Sequence, residues 1–499
     1  MKSPEIIIKT QSEQINRLTN EISYLKEKID YLLRDKFSSK SEKFSNQPSL
    51  FNQTDLETVK VEDDPKEIKI SYVKRKGGRT KPPESLPHIR VEHDINEKEK
   101  VCRCGCNMVC IKEIITHQYD VIPAEFRVIQ NVRLVYSCGS KCGAKLKTAP
   151  VALSVLPRHQ VTPSFLATIG VQKFEDGLPL TRQAKIFKNR FGVQFTDTTL
   201  SNWMIKASEL CLTPLIEKMN TLMIESDYIQ ADETTLQVLK EENKKATSKS
   251  YLWLRVNKDE DKKIVLMNYS SNRGSNTASS LLKGFKGYLQ TDGYPGYDPI
   301  AKKDGITQLG CWAHGRRRFA DIIKSGESCV ESKNIAKEII SLISKLYKVE
   351  KEIKTLPPDI KQKRREEESK PVIDEIDKWL ERHITKANEY GGKLKTAVNY
   401  LYRQFPKLII YLEDGRLDID NNRVENHVRP IAIGRKNWLF ATSTKGANCL
   451  ANWYSIIESA KINNLDPYRY LCYVFTMFPV YNYENRDIDS LLPWNVVLD

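Results

Sequence analysis

The apolar positions change their spacing several times along the 499 residues, and each change marks a different element. Ile8, Ile15, Ile22 and Ile29 recur every seventh residue, with Gln11, Leu18, Leu25 and Leu32 three places after them. This four-heptad seam, with Ile at a and Leu at d, predicts a parallel two-stranded coiled coil over residues 1–36, in which Glu21 at g would reach Lys26 at e of the partner. The competing reading is an amphipathic helix packed on its own protein, but such a helix carries a wider apolar stripe than this seam. Residues 37–99 then lose their period and turn polar, which reads as a linker.

Helical spacing returns over residues 157–222. LTRQAKIFKNRF ends near Phe191, Gly192-Val193 makes a turn, and Thr196 or Asp197 caps a second helix. The pattern fits a helix-turn-helix in which Thr198, Thr199 and Asn202 face a major groove. A helical hairpin bracing the next domain has the same spacing.

From Asp227 the period changes to two. YIQADETTLQVL reads as a strand, EENKKATSKS as a polar turn, and YLWLRV and KKIVLMNYS as two more strands. SNTASSLLKGF is helical, GYLQTD is a strand that stops at Asp292, and ITQLGCWA enters a basic helix, HGRRRFADII. Three meandering strands, a helix and a fourth strand follow the order of a ribonuclease-H-like core, in which the fourth strand lies parallel beside the first. The expectation is a multidomain α/β protein whose mixed sheet with flanking helices spans 223–322 and 417–446. A helical insertion over 323–416 interrupts it: ESKNIAKEIISLISKLYKVEKEIKTLPP is a helix ended by two prolines, and KPVIDEIDKWLERHITKA is another. Residues 447–499 add a C-terminal helical segment.

Composition adds a partner class. With 79 basic against 64 acidic residues the net charge is +15, which favours a polyanion such as nucleic acid. The run KRKGGRTKPP, with Lys74, Arg75 and Arg79 around two glycines, suits a narrow minor groove and equally suits a solvated charge run. No run of about 18 apolar residues occurs, and the start lacks a signal-peptide pattern, so no membrane role and a cytoplasmic location are expected.

Six of the eleven cysteines fall between Cys102 and Cys142. Two short knuckles on either side of a hairpin-length spacer suit one structural zinc in a module over 100–150. Cys138 and Cys142 form the second knuckle. In the first, Cys102, Cys104, Cys106 and Cys110 compete, and Gly105 favours Cys102 with Cys104 by supplying a turn. Cys211, Cys311, Cys329, Cys449 and Cys472 are isolated and read as small buried hydrophobes without function.

Three acids stand in informative settings: Asp232 in the first strand, Asp292 at the end of the fourth, and Glu425 in LDIDNNRVENHVRPIAIGRKNWLF. Carboxylates gathered from scattered positions are what a hard divalent cation needs in phosphoryl chemistry. Their neighbours Glu233, Asp298, Asp414 and Asp418 read as solvated. His314 and Arg316, Arg317 and Arg318 open a helix where phosphate would be gripped, or else they shape the wall of the site. Arg429, Arg435 and Lys436 would hold a terminal duplex, and Trp438 reads as core.

The chain resembles bacterial insertion-sequence transposases of the IS-sixty-six type. The stretches that carry the likeness are LPLTRQAKIF, ADETTLQVL, YLWLRV, GYLQTDGYPGYD, GCWAHGRRRF, DIDNNRVENHVRPIAIGRKNWLFATSTKGA and YSIIESAKINNLDPYRYL. The resemblance implies an aspartate-aspartate-glutamate catalytic set on Asp232, Asp292 and Glu425. Two Mg²⁺ (or Mn²⁺) ions about 3.5–4 Å apart would be bridged by Asp232, with Asp292 on one and Glu425 on the other, for in-line cleavage and strand transfer. Its partners would be double-stranded DNA (the terminal inverted repeats of its element and a target) and a second subunit, with accessory proteins of the same element left open. Two features depart from the family pattern. Arg423 and Val424 replace two small residues before the glutamate, which would alter helix packing there, and the second knuckle has three intervening residues instead of two. A zinc DNA-binding regulator without activity and a nuclease that cleaves without joining are the rival readings.

Overall fold

The computed structural model describes residues 125–136, 147–302, 305–324 and 329–498. The heptads, Lys74, Arg75, Arg79 and the cysteines Cys102, Cys104, Cys138 and Cys142 lie outside the described residues. The described residues up to Ala149 belong to one compact unit and those from Pro150 onward to another. In the first unit, Val135–Tyr136 pairs antiparallel with Lys147–Thr148.

The second unit is built on a mixed sheet. Its strands are β1 (Tyr228–Lys240), β2 (Lys249–Asn257), β3 (Val265–Ser270), β4 (Gly287–Gln290), β5 (Ile306–Leu309) and β6 (Ala441–Ser443). The order is β3-β2-β1-β4-β5, and β6 joins the second half of β1. The first three strands form an antiparallel meander, whereas β4 runs parallel to β1 and β5 parallel to β4. The meander and the parallel placement of β4 beside β1 are what the sequence pattern predicts. The start of β1, Tyr228–Ala231, is buried on both faces, as a central strand covered on both sides must be. Beyond Thr234 it alternates, with Leu236 and Val238 buried and Gln237 exposed.

Edge strand β3 would expose unpaired backbone groups. Helix α12 (Thr444–Ile462; helices are numbered in chain order) covers it with two serines. The N–H groups of Val265 and Met267 donate to Ser459 Oγ (3.0 Å) and Ser455 Oγ (2.8 Å). Four helices precede the sheet: α1 (Pro163–Phe174), α2 (Leu180–Phe191), α3 (Asp197–Ala207) and α4 (Thr213–Ile224). Gly192 ends α2 in the left-handed conformation, φ 69°, and Thr196 rather than Asp197 caps α3, its hydroxyl accepting from Thr199 N–H at 3.0 Å. Gly170 lets α1 meet α12 closely, since a Cβ there would stand 2.1 Å from the Trp453 ring.

Between β3 and β4 lies α5 (Ser275–Leu281), and β5 leads into α6 (Trp312–Lys324). The helical excursion follows: α7 (Val330–Glu352), α8 (Pro358–Arg364), α9 (Lys370–Ile384) and α10 (Gly392–Leu408). Its apolar face, including Ile339, Ile343, Trp379 and Leu401, shares one hydrophobic cluster with Phe319 and Ile322 of α6 and Leu309 of β5. The two prolines do not end α7, which stops at Glu352. Pro357 caps α8 and Pro358 is its first residue, where the missing N–H has no partner to lose. The chain then returns through α11 (Asn422–Trp438) and closes with α12 and α13 (Pro467–Tyr483). No helix among the described residues is long and apolar enough to cross a membrane.

Candidate active site

β1 and β4 are paired in parallel register, with Gln230 opposite Gln290. Side chains two residues apart share a sheet face. Asp232 and Asp292 each stand two residues beyond these glutamines, so the same register carries both acids to one end of the sheet on one face. The glutamines are buried and bonded to each other, Gln230 Nε2 donating to Gln290 Oε1 at 2.8 Å.

The same two side chains also fix the third acid. Gln230 Nε2 donates to Asp418 Oδ2 (3.1 Å) and the Asp420 carbonyl (3.2 Å), and its Oε1 accepts the Val424 N–H (3.2 Å). Gln290 Nε2 donates to the carbonyls of Gly310 (3.0 Å) and Asp418 (2.9 Å). The segment entering α11 is thereby held against the sheet, and Glu425 in the first turn of α11 is only 4 % exposed. A helix N-terminus is a favourable place for a carboxylate.

The charges at this corner are poorly balanced. Burial pushes the Asp232 carboxyl well above its usual range, and Asp292 and Glu233 push it further. Its Oδ1 accepts the Glu233 N–H at 2.8 Å. Asp292 Oδ1 accepts the Tyr294 N–H at 2.9 Å, and Tyr400 donates its hydroxyl to the Asp292 carbonyl at 2.7 Å. Burial raises Glu425 too, against the opposing Arg317, whose NH2 is 3.5 Å from Oε2. Glu425 Oε1 is buried with no hydrogen-bond partner. His314 Nδ1 lies 3.5 Å from it, but burial and then Arg317 push the imidazole down to about 4, so the ring is neutral near pH 7. Carboxylates that burial and mutual repulsion disfavour as anions, one with an orphaned oxygen, are a donor set that fits a hard divalent cation.

Glu233 departs from the expectation of a solvated acid: its side chain is 1 % exposed. Arg273 Nε donates to Oε1 (2.6 Å) and the Tyr297 hydroxyl to Oε2 (2.9 Å). The Arg273 guanidinium lies 3.8 Å from the Tyr294 ring centroid. These contacts run from one aspartate to the other, because Glu233 and Tyr294 are the residues whose N–H groups hold Asp232 and Asp292. Asp418 is likewise engaged, by Lys258, Arg423 and Gln230. Asp414 caps Arg416, and Asp298 pairs with Lys407 at 2.7 Å while half exposed. The unusual pair before Glu425 is accommodated, Val424 in the core and Arg423 reaching Asp418.

Of the basic candidates, His314 and Arg317 stand in the wall of the acid corner. Arg316 is half-buried, and Arg318 is exposed, stacked 3.9 Å from the Tyr400 ring. Arg429 is half-buried and Lys436 exposed. Arg435 donates to the Thr235 hydroxyl at 2.9 Å, so its guanidinium is partly committed to β1. Trp438 is half-buried against Gly434, with Lys173 5.7 Å from its ring. Thr198 and Asn202 are exposed on α3, and the Thr199 hydroxyl bonds Thr196 at 2.8 Å. Cys211, Cys311 and Cys449 are buried as expected, but Cys329 is exposed and caps α7.

Sequence reasoning missed Gln230, Gln290, Glu233, Arg273, Tyr294 and Tyr400. A signal for the first two was present, since Gln-x-Asp occurs at both 230–232 and 290–292.

The sequence profile described as Transposase IS66 family matches residues 158–449, more than half of the chain. The chain belongs to that family. The IS66 C-terminal element matches 455–494, the zinc-finger binding domain of transposase IS66 matches 99–149, and the profile described as Transposase C of IS166 homeodomain matches 24–91. Membership of the IS66 family makes this a DNA-processing enzyme with DNA as its partner, and the zinc-finger match supports a bound zinc. Similar proteins include two from Sinorhizobium fredii. Uncharacterized protein y4qI is 32 % identical over 428 residues, covering 82 % of this chain and 76 % of that protein. Uncharacterized protein y4jD is 28 % identical over 505 residues, covering 97 % of this chain and 96 % of its own.

Proposed function

We propose that this family member is a DDE transposase that binds the terminal inverted repeats of its mobile element and performs metal-dependent strand cleavage and strand transfer. The observation that carries the reading is the convergence of Asp232, Asp292 and Glu425 at one end of the sheet, where both other acids act on the Asp232 carboxyl and Glu425 Oε1 has no partner. The meander followed by a parallel fourth strand supports a ribonuclease-H-like core.

Asp232 would bridge two Mg²⁺ or Mn²⁺ ions, with Asp292 and Glu425 each on one. When bound, such a pair supplies Lewis-acid activation of the attacking oxygen, water first and then a DNA 3′-hydroxyl, and stabilises the leaving oxygen. The chain's own groups orient the donors: the Glu233 and Tyr294 N–H groups fix one oxygen of each aspartate, and the glutamine pair fixes the approach of Glu425. The neutral ring of His314 and the guanidinium of Arg317 stand in the wall of the acid corner, where they would meet a phosphate oxygen.

The rest of the chain takes the DNA and the second subunit. Thr198, Thr199 and Asn202 would read a groove; Lys74, Arg75, Arg79, Arg316, Arg318, Arg429, Arg435 and Lys436 would meet phosphates. Cys102, Cys104, Cys138 and Cys142 would hold the zinc, and the heptads would make the cytoplasmic protein a homodimer.

The test incubates the full chain with Mg²⁺ or Mn²⁺ and DNA carrying the ends of its element. Joined products from the wild type, lost on single replacement of Asp232, Asp292 or Glu425 by alanine, are the expected result. Cleavage without joining makes the protein a nuclease, and binding alone makes it a regulator. Activity kept by any one alanine variant removes that residue from the set.

A further inference from the structure

We propose that Cys311, His314 and Glu425 form a thiolate–imidazole–carboxylate site for a borderline-soft divalent cation such as Zn²⁺ or Co²⁺. Its chemistry differs from that of the all-carboxylate set, and only Glu425 is shared.

One donor atom from each of the three residues lies within 4.8 Å of the other two. The placement follows from the fold. β5 passes through Gly310 and Cys311 into α6, which sets the thiol just before a helix N-terminus. The spacing Cys-x-x-His then brings His314 one turn further along the same side. Glu425 arrives from the first turn of α11. Cys311 is 1 % exposed and Glu425 4 %.

Two observations point to a missing ligand. His314 Nδ1 and Glu425 Oε1 are both buried without a hydrogen-bond partner, 3.5 Å apart. Leaving such groups unsatisfied is costly, and a cation between them removes that cost. The sulfur in turn accepts backbone N–H groups from Asn421, at 3.4 Å, and from His314. Hydrogen bonds of this kind orient the donors of metal centres from outside the coordination shell.

The donor set decides the ion. Sulfur and imidazole nitrogen select Zn²⁺ or Co²⁺, while Mg²⁺ takes oxygen and gives up its water reluctantly. Binding exchanges the thiol proton, released to solvent, for a metal–sulfur bond, with no change of oxidation state. Three protein donors leave a further position open. A cation held here engages Glu425 Oε1, so excess zinc would take that acid away from catalysis.

The test is a Co²⁺ titration of the full chain, with its cysteine module already loaded with zinc, followed by optical absorption. The expected result is one further equivalent of Co²⁺ with a thiolate charge-transfer band in the near ultraviolet. C311S abolishes that band, H314Q weakens binding about tenfold or more, and C329S, which alters an exposed cysteine, leaves it unchanged. Millimolar Mg²⁺ does not displace the Co²⁺. Circular dichroism checks that C311S is folded, and H314Q keeps the test decisive if it is not. The proposal is overturned if the wild type gains no such band, or if the band survives equally in C311S or H314Q. Strand transfer with Mg²⁺, assayed separately, reports on the catalytic reading alone: its loss with the cobalt band intact sinks that reading and not this one.

Discussion

Glu425 and Glu458 are buried almost equally, 4 % and 3 % exposed, and lie on helices α11 and α12, yet their surroundings are opposite. Burial alone would raise Glu458, but His427 Nδ1 at 2.6 Å and Lys461 Nζ at 3.0 Å outweigh it and hold the carboxyl below its usual range. Glu425 has Arg317 at 3.5 Å as its charged partner, the neutral His314 ring beside an oxygen with no hydrogen-bond partner, and a carboxyl that burial keeps raised. The first acid is completed within the folded chain, and the second waits for something from outside. A buried charge left uncompensated in this way is costly to keep, and that is what separates a site from a structural ion pair.

The largest test of this contrast is chemical. E425Q, D232N or D292N should each lower strand transfer at least about a thousandfold, since each removes several kcal/mol of charge stabilisation. E458A should keep the activity of the folded fraction, and a loss there as deep as in E425Q would break the contrast. Urea unfolding comes next. E458A should cost about 3–5 kcal/mol, chiefly by leaving the half-buried His427 unpaired while Lys461 keeps Glu175, whereas D232N in EDTA should be at least as stable as the wild type.

Two of the acids set the sign of a pH test. A carboxyl raised in the fold binds its proton more tightly there than when unfolded, so its destabilisation is full above the folded value. It is relieved as pH falls through that raised value toward the ordinary one near about 4. The metal-free wild type should therefore gain in melting temperature as pH is lowered from 7 through the raised values of Asp232 and Glu425, and D232N should gain less. Glu458 works the other way, its contribution being present above its ordinary value and lost as pH falls through its lowered one. A wild-type melting temperature that only falls over this range would count against the contrast.

A smaller effect is expected at Glu233. E233Q should weaken the Mg²⁺ dependence of strand transfer about 10–100-fold, and R273K should fall between it and the wild type, because the Glu233–Arg273–Tyr294 contacts position the aspartates without touching substrate. Smallest is K436A, which should weaken DNA binding evenly across sequences and reduce the salt slope by about 1. A change confined to one DNA sequence would make Lys436 a reader of bases.

The sheet was legible because alternation of apolar residues is a local signal, and the strands that carry Asp232 and Asp292 were readable from it. Glu233 was misread because its partner, Arg273, is 40 residues away, and only the folded chain brings it close. The proline pair at 357–358 marks the start of α8, since proline closes one helix and opens the next with equal ease. Helix α10 escaped notice; it contains Pro406, a residue that usually argues against a helix interior. Glu425 was found through its motif, while the reason for its position lies in hydrogen bonds from Gln230 and Gln290, which no pattern within a window can reveal.

One amide group of Gln290 ties Gly310 and Asp418 together, the two ends of the excursion that carries α7 to α10. The neck is closed at the sheet, and the excursion reaches back to it through Tyr400, whose hydroxyl bonds the Asp292 carbonyl. Once such a neck is closed, each doubling of the chain beyond it costs only about 0.6 kcal/mol. The outer face of the excursion can therefore be lengthened or resurfaced, whereas Tyr400 and the apolar face shared with α6 must stay for the geometry of the acids to hold.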